Sequence, residues 1–199
     1  MTAPRLILAS ASPRRSQLLQ QVDVPHLVRP VVVDESPRPG EAPAAYVLRL
    51  AQDKARTLWA RLDGVERLPV LAADTTVALE GTILGKPADR GELRAMLRRL
   101  SGRTHEVHTA VAVLHRGRTT ARVSTSEVSF RDLTDAEIDW YWDTGEPADK
   151  AGGYAVQGKA AIFIRHIAGS YSGVMGLPIY ETWELLEPVL GLTPRSAAT

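Results

Sequence analysis

The sequence predicts an α/β fold built on one long, twisted, mixed β-sheet flanked by helices. Three observations carry this. Short apolar runs (RLIL, HLVRPVVV, LPVLAAD) are separated by segments with apolar residues at helical period. Two long alternating runs, THEVHTAVAVL and TARVSTSEVSF, pair through an RGR turn near Gly117. Strands and helices are mixed rather than strictly alternating, which favours a mixed sheet over a regular doubly wound one. The chain has 199 residues, enough for one core, with no repeat and no separating linker. A single domain over residues 1–191 is expected, with 192–199 as a frayed tail.

The elements follow in order. RLILAS is a short buried strand. Ser12 is a good N-cap and Pro13 suits the first helical position, so RRSQLLQQ continues as a helix. HLVRPVVV is a second strand, ending at Asp34-Glu35. Residues 36–43 are rich in Pro and Gly and form a loop. A long helix runs from about Ala42 to Leu62, with Val47, Leu50, Ala51, Leu58 and Leu62 on its apolar stripe. LPVLAAD is a third strand, ending at Asp74. TTVALEGTILG reads as a hairpin turning at Glu80-Gly81. A helix basic on one face covers 89–100, and another with Trp140 and Trp142 covers 134–143. DKAGGYAVQG is irregular, AAIFIRHI is the last strand, and a helix from about Pro178 closes the fold.

Composition narrows the function classes. Hydrophobic residues make up 44% and charged residues 24%, as in ordinary globular proteins. A net charge of +1, with no basic stripe carrying aromatics, argues against a nucleic-acid partner or an anionic membrane surface. There are no cysteines, hence no disulfides and no thiolate metal sites, which fits a reducing cytoplasm. No apolar stretch approaches the ~20 residues of a membrane span, and Leu6–Ala9 is too short for a signal-peptide core.

Several residues can carry chemistry. Ser10, Ser12, Arg14 and Arg15 stand where a strand hands over to a helix, whose first N–H groups and dipole suit phosphate. The alternative is a capped surface helix with solvated arginines. Lys54 lies inside an apolar stripe, so it must snorkel, pair with a carboxylate or meet a ligand. Asp74 and Glu35 end strands, where α/β sheets place ligands, and two carboxylates with lysines suit a divalent cation and a polyphosphate. Lys86, after the hairpin, can neutralise phosphate charge. AGGYAVQG, which contains Gln157, and GSYSGVMG let backbone approach a ligand closely, unless they are simply tight turns. THEVHT is not a zinc motif: on a strand His105 and His108 point to opposite faces.

Seven stretches together resemble the Maf family of nucleoside triphosphate pyrophosphatases. They are LASASPRRSQLL, VDE ending at Glu35, RLAQDKA, AADTTV with GKP, LSGRTHEVHTAV, GEPADKAGGYAVQG and GSYSGVMGLPIYET. The resemblance covers nearly the whole chain in family order. It implies a fold similar to the inosine triphosphate pyrophosphatases, with two lobes around a cleft. It implies hydrolysis between the α- and β-phosphates of a nucleoside triphosphate, a divalent cation (Mg²⁺ or Mn²⁺), a cytoplasmic location and a homodimer. By position, Asp74 matches the family's catalytic acid. Glu35, Lys54 and Lys86 match its other charged positions. Ser10, Arg14 and Arg15 match the motif lining the cleft. Asp74 either takes a proton from water or mainly holds the metal with Glu35, because a metal-bound carboxylate is a weak base.

Arg14, Thr75 and Gln157 occupy the positions at which branches of the family differ, and this combination resembles the branch acting on dTTP and UTP. Arg14 can donate to a base carbonyl, and Gln157 can both donate and accept. Cytosine places an amino donor where uracil has O4, so an arginine there would meet donor with donor. The expected role is house-cleaning of pyrimidine triphosphates, standard or modified. The rival is a nucleotide-binding regulator of septum formation in which turnover is secondary.

Overall fold

The computed structural model describes residues 3–62 and 68–192. Its centre is a seven-stranded mixed sheet: β1 (Leu6–Leu8), β2 (His26–Val28), β3 (Val70–Leu79), β4 (Thr82–Leu84), β5 (Thr104–His115), β6 (Arg118–Phe130) and β7 (Ile164–Ala168). The order is β2-β1-β3-β5-β6-β7, with β4 also on β3. β1 is parallel to β2 and β3, and every other pairing is antiparallel. The expected α/β class with a mixed sheet is what the chain adopts.

Among the described residues six α-helices flank the sheet: α1 (Pro13–Gln21), α2 (Pro43–Ala60), α3 (Arg90–Leu100), α4 (Asp135–Asp143), α5 (Tyr171–Met175) and α6 (Ile179–Leu190). Both faces of the central strands are covered, so their apolar runs are nearly continuous. Ile7, Val70, Ala72, Ala110 and Ala112 pack under Val47, Ala51, Ala55 and Leu58 of α2. Leu6, Leu8, Leu71, Val111 and Val113 face the other way, against Leu18 and Leu19 of α1 and Leu185 and Leu186 of α6. Farther along that side, Val77, Val107 and Phe130 pack with Leu93, Leu97, Tyr141 and Phe163. Leu192 is buried in the α1–α6 cluster. The expected frayed tail otherwise falls on 193–199, outside the described residues.

Local chemistry explains the boundaries. The hairpin turns carry positive φ at both central residues, Glu80-Gly81 and Arg116-Gly117, which matches the twist of antiparallel strands. Asp89 caps α3 by accepting from the Glu92 N–H at 2.8 Å, and Thr134 with Glu137 forms a capping box on α4. The basic face of α3 meets an acidic face of α4: Arg90, Arg94 and Arg98 pair with Asp143, Asp139 and Asp135.

Four expectations are corrected. The second strand stops at Val28 because Pro30 has no N–H to continue the ladder, so Asp34 and Glu35 lie in a loop. Asp74 does not end its strand: β3 runs through to Leu79. The last strand begins only at Ile164, after a 3₁₀ turn over Lys159–Phe163. Within the glycine-rich GSYSGVMG, α5 forms behind a Ser170 cap that accepts from the Gly173 N–H at 3.0 Å.

One consequence of the topology positions the site. β1 pairs with β3 at Val70 and Leu71, and β4 pairs with the same edge at Val77–Leu79. Among the described residues, Ala72–Thr76 have no strand partner on that edge. The sheet has a gap there, and a cleft opens into it.

Candidate active site

The cleft has a volume of about 630 Å³. All ten residues singled out from the sequence line it: Ser10, Ser12, Arg14, Arg15, Glu35, Lys54, Asp74, Thr75, Lys86 and Gln157. They come from the start of α1, the loop before α2, α2 itself, β3, the segment after β4, and the 155–158 turn.

Lys54 resolves its own dilemma by pairing. Its Nζ lies 2.6 Å from Asp74 Oδ1 and 2.6 Å from Glu35 Oε1. Lys54 and Asp74 are buried, while the Glu35 side chain is 46% exposed. The two carboxylates therefore converge on one ammonium. Burial pushes the Asp74 carboxyl above the ordinary carboxylate range, against the opposing pull of Lys54 and Arg15. Glu35 is also penalised by burial, but Lys54, Lys86 and Arg15 outweigh that and hold it below its ordinary value. The difference follows from depth: the Glu35 side chain is 46% exposed and that of Asp74 only 10%.

Arg15 is a brace as well as a charge. Its Nε donates to the Gly176 carbonyl at 2.8 Å, Nη1 to Ser10 Oγ at 3.1 Å and Nη2 to Thr75 Oγ1 at 3.3 Å. Thr109 Oγ1 donates to the Gly173 carbonyl at 2.7 Å and lies 3.0 Å from Thr75 Oγ1. These contacts tie the start of α1 and α5 across β3 and β5. Burial lowers the Arg15 pKa, yet a guanidinium stays charged. Ser12 sits at the N-cap position without a side-chain cap bond, and its N–H donates to Ser10 Oγ at 3.2 Å. Arg14, Lys86 and Gln157 line the cleft, the last two exposed to it.

Tyr46 and Lys150 also line the cleft but were not singled out from the sequence. Tyr46 Oη donates to the Glu35 carbonyl at 2.8 Å, holding the loop that carries Glu35. Burial, with Asp74 and Glu35 nearby, pushes its phenol up to about 12. Lys150 pairs with Asp149. Three of the four lysines in the chain thus meet in one cleft, and that scarcity was the available signal. His105 and His108 are buried elsewhere on β5: His105 Nε2 bonds Tyr154 Oη at 2.7 Å and His108 Nδ1 bonds Thr125 Oγ1 at 2.9 Å. Burial brings His105 down to about 4, so it is a neutral structural residue at pH 7.

Gly152 fixes the far wall. Its φ is +67°, and a Cβ there would stand 2.9 Å from three Val77 side-chain carbons. Gly152→Ala is expected to lose at least about 2 kcal/mol of stability, from positive-φ strain and overlap together. Urea denaturation would measure it, and an unchanged midpoint would contradict the close approach.

A gapped mixed sheet with a lysine-rich, carboxylate-bearing cleft defines an α/β protein equipped to hold a polyanion. The chain belongs to the Maf-like protein family, whose model matches residues 5–189. It is 57% identical to the dTTP/UTP pyrophosphatase of Bordetella avium (strain 197N) over 189 residues, covering 92% of this chain and 94% of that one. It is 53% identical to the dTTP/UTP pyrophosphatase of Nitrosomonas europaea over 192 residues, covering 92% and 93%. The Staphylococcus aureus Ham1 protein aligns with a TM-score of 0.48 at 11% identity, over 94% of this chain and 97% of that one.

Proposed function

We propose that this protein hydrolyses dTTP and UTP to the nucleoside monophosphate and pyrophosphate. The observation that carries the reading is the Asp74–Lys54–Glu35 cluster inside a cleft also lined by Lys86 and Lys150. The names borne by the relatives at 57% and 53% identity support the same substrates.

In this reading water attacks the α-phosphorus, the bond to the bridging oxygen breaks and pyrophosphate leaves. Asp74 accepts the water proton. Its depth makes it a better base than a solvated carboxylate, and Lys54 keeps it ionised. Lys86 and Lys150 offset charge on the triphosphate and the departing pyrophosphate. Arg14 and Gln157 meet the base. Thr75 contributes through its bond with Arg15.

The donor set fits a hard divalent cation such as Mg²⁺ or Mn²⁺. Glu35 Oε1 and Asp74 Oδ1 are both taken up by the Lys54 ammonium, so a cation would be held by the second oxygen of each carboxylate. Among the described residues no group of three or more His, Asp or Glu converges, so substrate oxygens and water would complete the shell. When bound, the cation polarises phosphate oxygens and relieves the charge that builds on them. If Asp74 holds it, its role as base weakens. The family resemblance extends the reading to a cytoplasmic homodimer.

The test is pyrophosphate release from a panel of triphosphates with Mg²⁺ or Mn²⁺. Preference for dTTP and UTP over CTP by about 10- to 100-fold is expected, since a mispaired buried polar group costs about 1–3 kcal/mol. Equal turnover of CTP would sink the preference for dTTP and UTP.

A further inference from the structure

Gln157 stands at the tip of a four-residue turn, Ala155 to Gly158, closed by the Gly158 N–H donating to the Ala155 carbonyl at 3.1 Å. Residues 152–156 are buried, Tyr154 and Ala155 among them in the cleft wall, and Gln157 is the first exposed residue of this stretch on the cleft. Both ends of the turn are held by one pair of side chains. At the start, the Ala155 N–H donates to Tyr141 Oη at 3.3 Å. At the end, Glu146 Oε2 accepts from the Lys159 N–H at 2.9 Å, and Oε1 from the Ala160 N–H at 3.4 Å. The two anchors are joined, because Tyr141 Oη donates to Glu146 Oε1 at 2.7 Å.

Gly158 completes the clamp. Its φ is −105°, so backbone conformation does not demand glycine. Space does: a Cβ would lie 2.3–2.4 Å from the Glu146 carboxylate. The glycine beside Gln157 is there to let a carboxylate pass under the turn.

We propose that Glu146, braced by Tyr141, is a positioning residue for nucleobase selection: it fixes the height and direction at which Gln157 is offered to the base. The proposal rests on the reading of Gln157 as a base contact. Glu146 does not line the cleft. Asp74, Lys54 and Glu35 belong to β3, α2 and the loop before α2, none of which the clamp holds. Selectivity and substrate affinity therefore depend on the clamp, while the hydrolytic step does so only weakly.

Pyrophosphate release from UTP and CTP, with KM and kcat separated, tests this in Glu146→Ala, Glu146→Gln, Gln157→Ala and the Glu146→Ala/Gln157→Ala double variant. Glu146→Ala is expected to raise KM for UTP about tenfold, with a much smaller change in kcat, and to lower the UTP/CTP ratio to that of Gln157→Ala. The double variant should be no worse than Gln157→Ala alone. Glu146→Gln keeps one carbonyl acceptor and should recover part of the ratio. An unchanged ratio in Glu146→Ala, beside a reduced one in Gln157→Ala, overturns the positioning role. An unchanged ratio in Gln157→Ala overturns the base-contact reading itself, and the positioning role with it. Should Glu146→Ala fail to fold, Tyr141→Phe removes both phenol bonds and must reduce the ratio; an unchanged one overturns the proposal.

Discussion

Asp74→Asn is expected to abolish turnover while leaving the fold intact. Asparagine keeps the shape but neither holds a negative charge nor accepts a proton at neutral pH. Removing a general base costs typically 10²–10⁴-fold, and about 10³-fold in kcat/KM is expected here. The loss applies whether Asp74 takes the proton or holds the cation. The fold should survive because Lys54 retains Glu35 at 2.6 Å. Pyrophosphate release and far-UV circular dichroism check the two halves, and a variant retaining a tenth of the activity would remove Asp74 from the chemistry. The wild-type pH profile adds a sign. Burial raises the Asp74 pKa, so activity should fall on acidification through a pKa above the ordinary aspartate range. A regulator that only binds nucleotide would keep its cellular effect in this variant.

Lys54→Met should produce the largest loss of stability in the cleft. It leaves Asp74 buried and charged without its ammonium, and removing one partner of a buried ion pair costs about 3–5 kcal/mol. The value should lie near the lower end, because Arg15 still acts on Asp74 and the Glu35 side of the pair reaches water. The loss should depend on pH. Without Lys54 the folded Asp74 pKa rises further above its unfolded value. The folded state then holds the proton more tightly, and the penalty grows from the unfolded pKa upward and is complete only above the raised folded one. Urea midpoints at pH 7 and pH 5 should therefore differ more between wild type and variant at pH 7. A penalty equal at both pH values would show that lost packing, not the buried charge, is responsible.

Much of this was legible in the sequence where the cause is local. Pro13, Asp89 and the Thr134–Glu137 box mark helix starts, and Glu80-Gly81 and Arg116-Gly117 mark hairpins, because each signal acts within four residues. The long-range facts were less so. An aspartate after LPVLAA reads as a strand end, since a buried carboxylate is costly. β3 continues through it only because Lys54, twenty residues earlier, compensates the charge. AAIF looked like strand, yet the N–H groups of Lys159 and Ala160 go to Glu146 rather than to a neighbouring strand. Glu35 meets Lys54 from a loop rather than from a strand end, because Pro30 ends β2 early. Tyr46 carried no signal of its own: its contribution is a bond to the Glu35 backbone.

The middle of β3 has a consequence for how such a protein can change. Asp74 and Thr75 are covalent neighbours, yet on a strand they point in opposite directions. Asp74 meets Lys54 on the α2 side, and Thr75 meets Arg15 and Thr109 on the other. Under the proposed function, one codon therefore addresses what the cleft cuts with, and the next addresses what it admits. Point substitutions can retune admission without disturbing the cut. A single inserted or deleted residue in β3 would exchange the two sides and cost both at once.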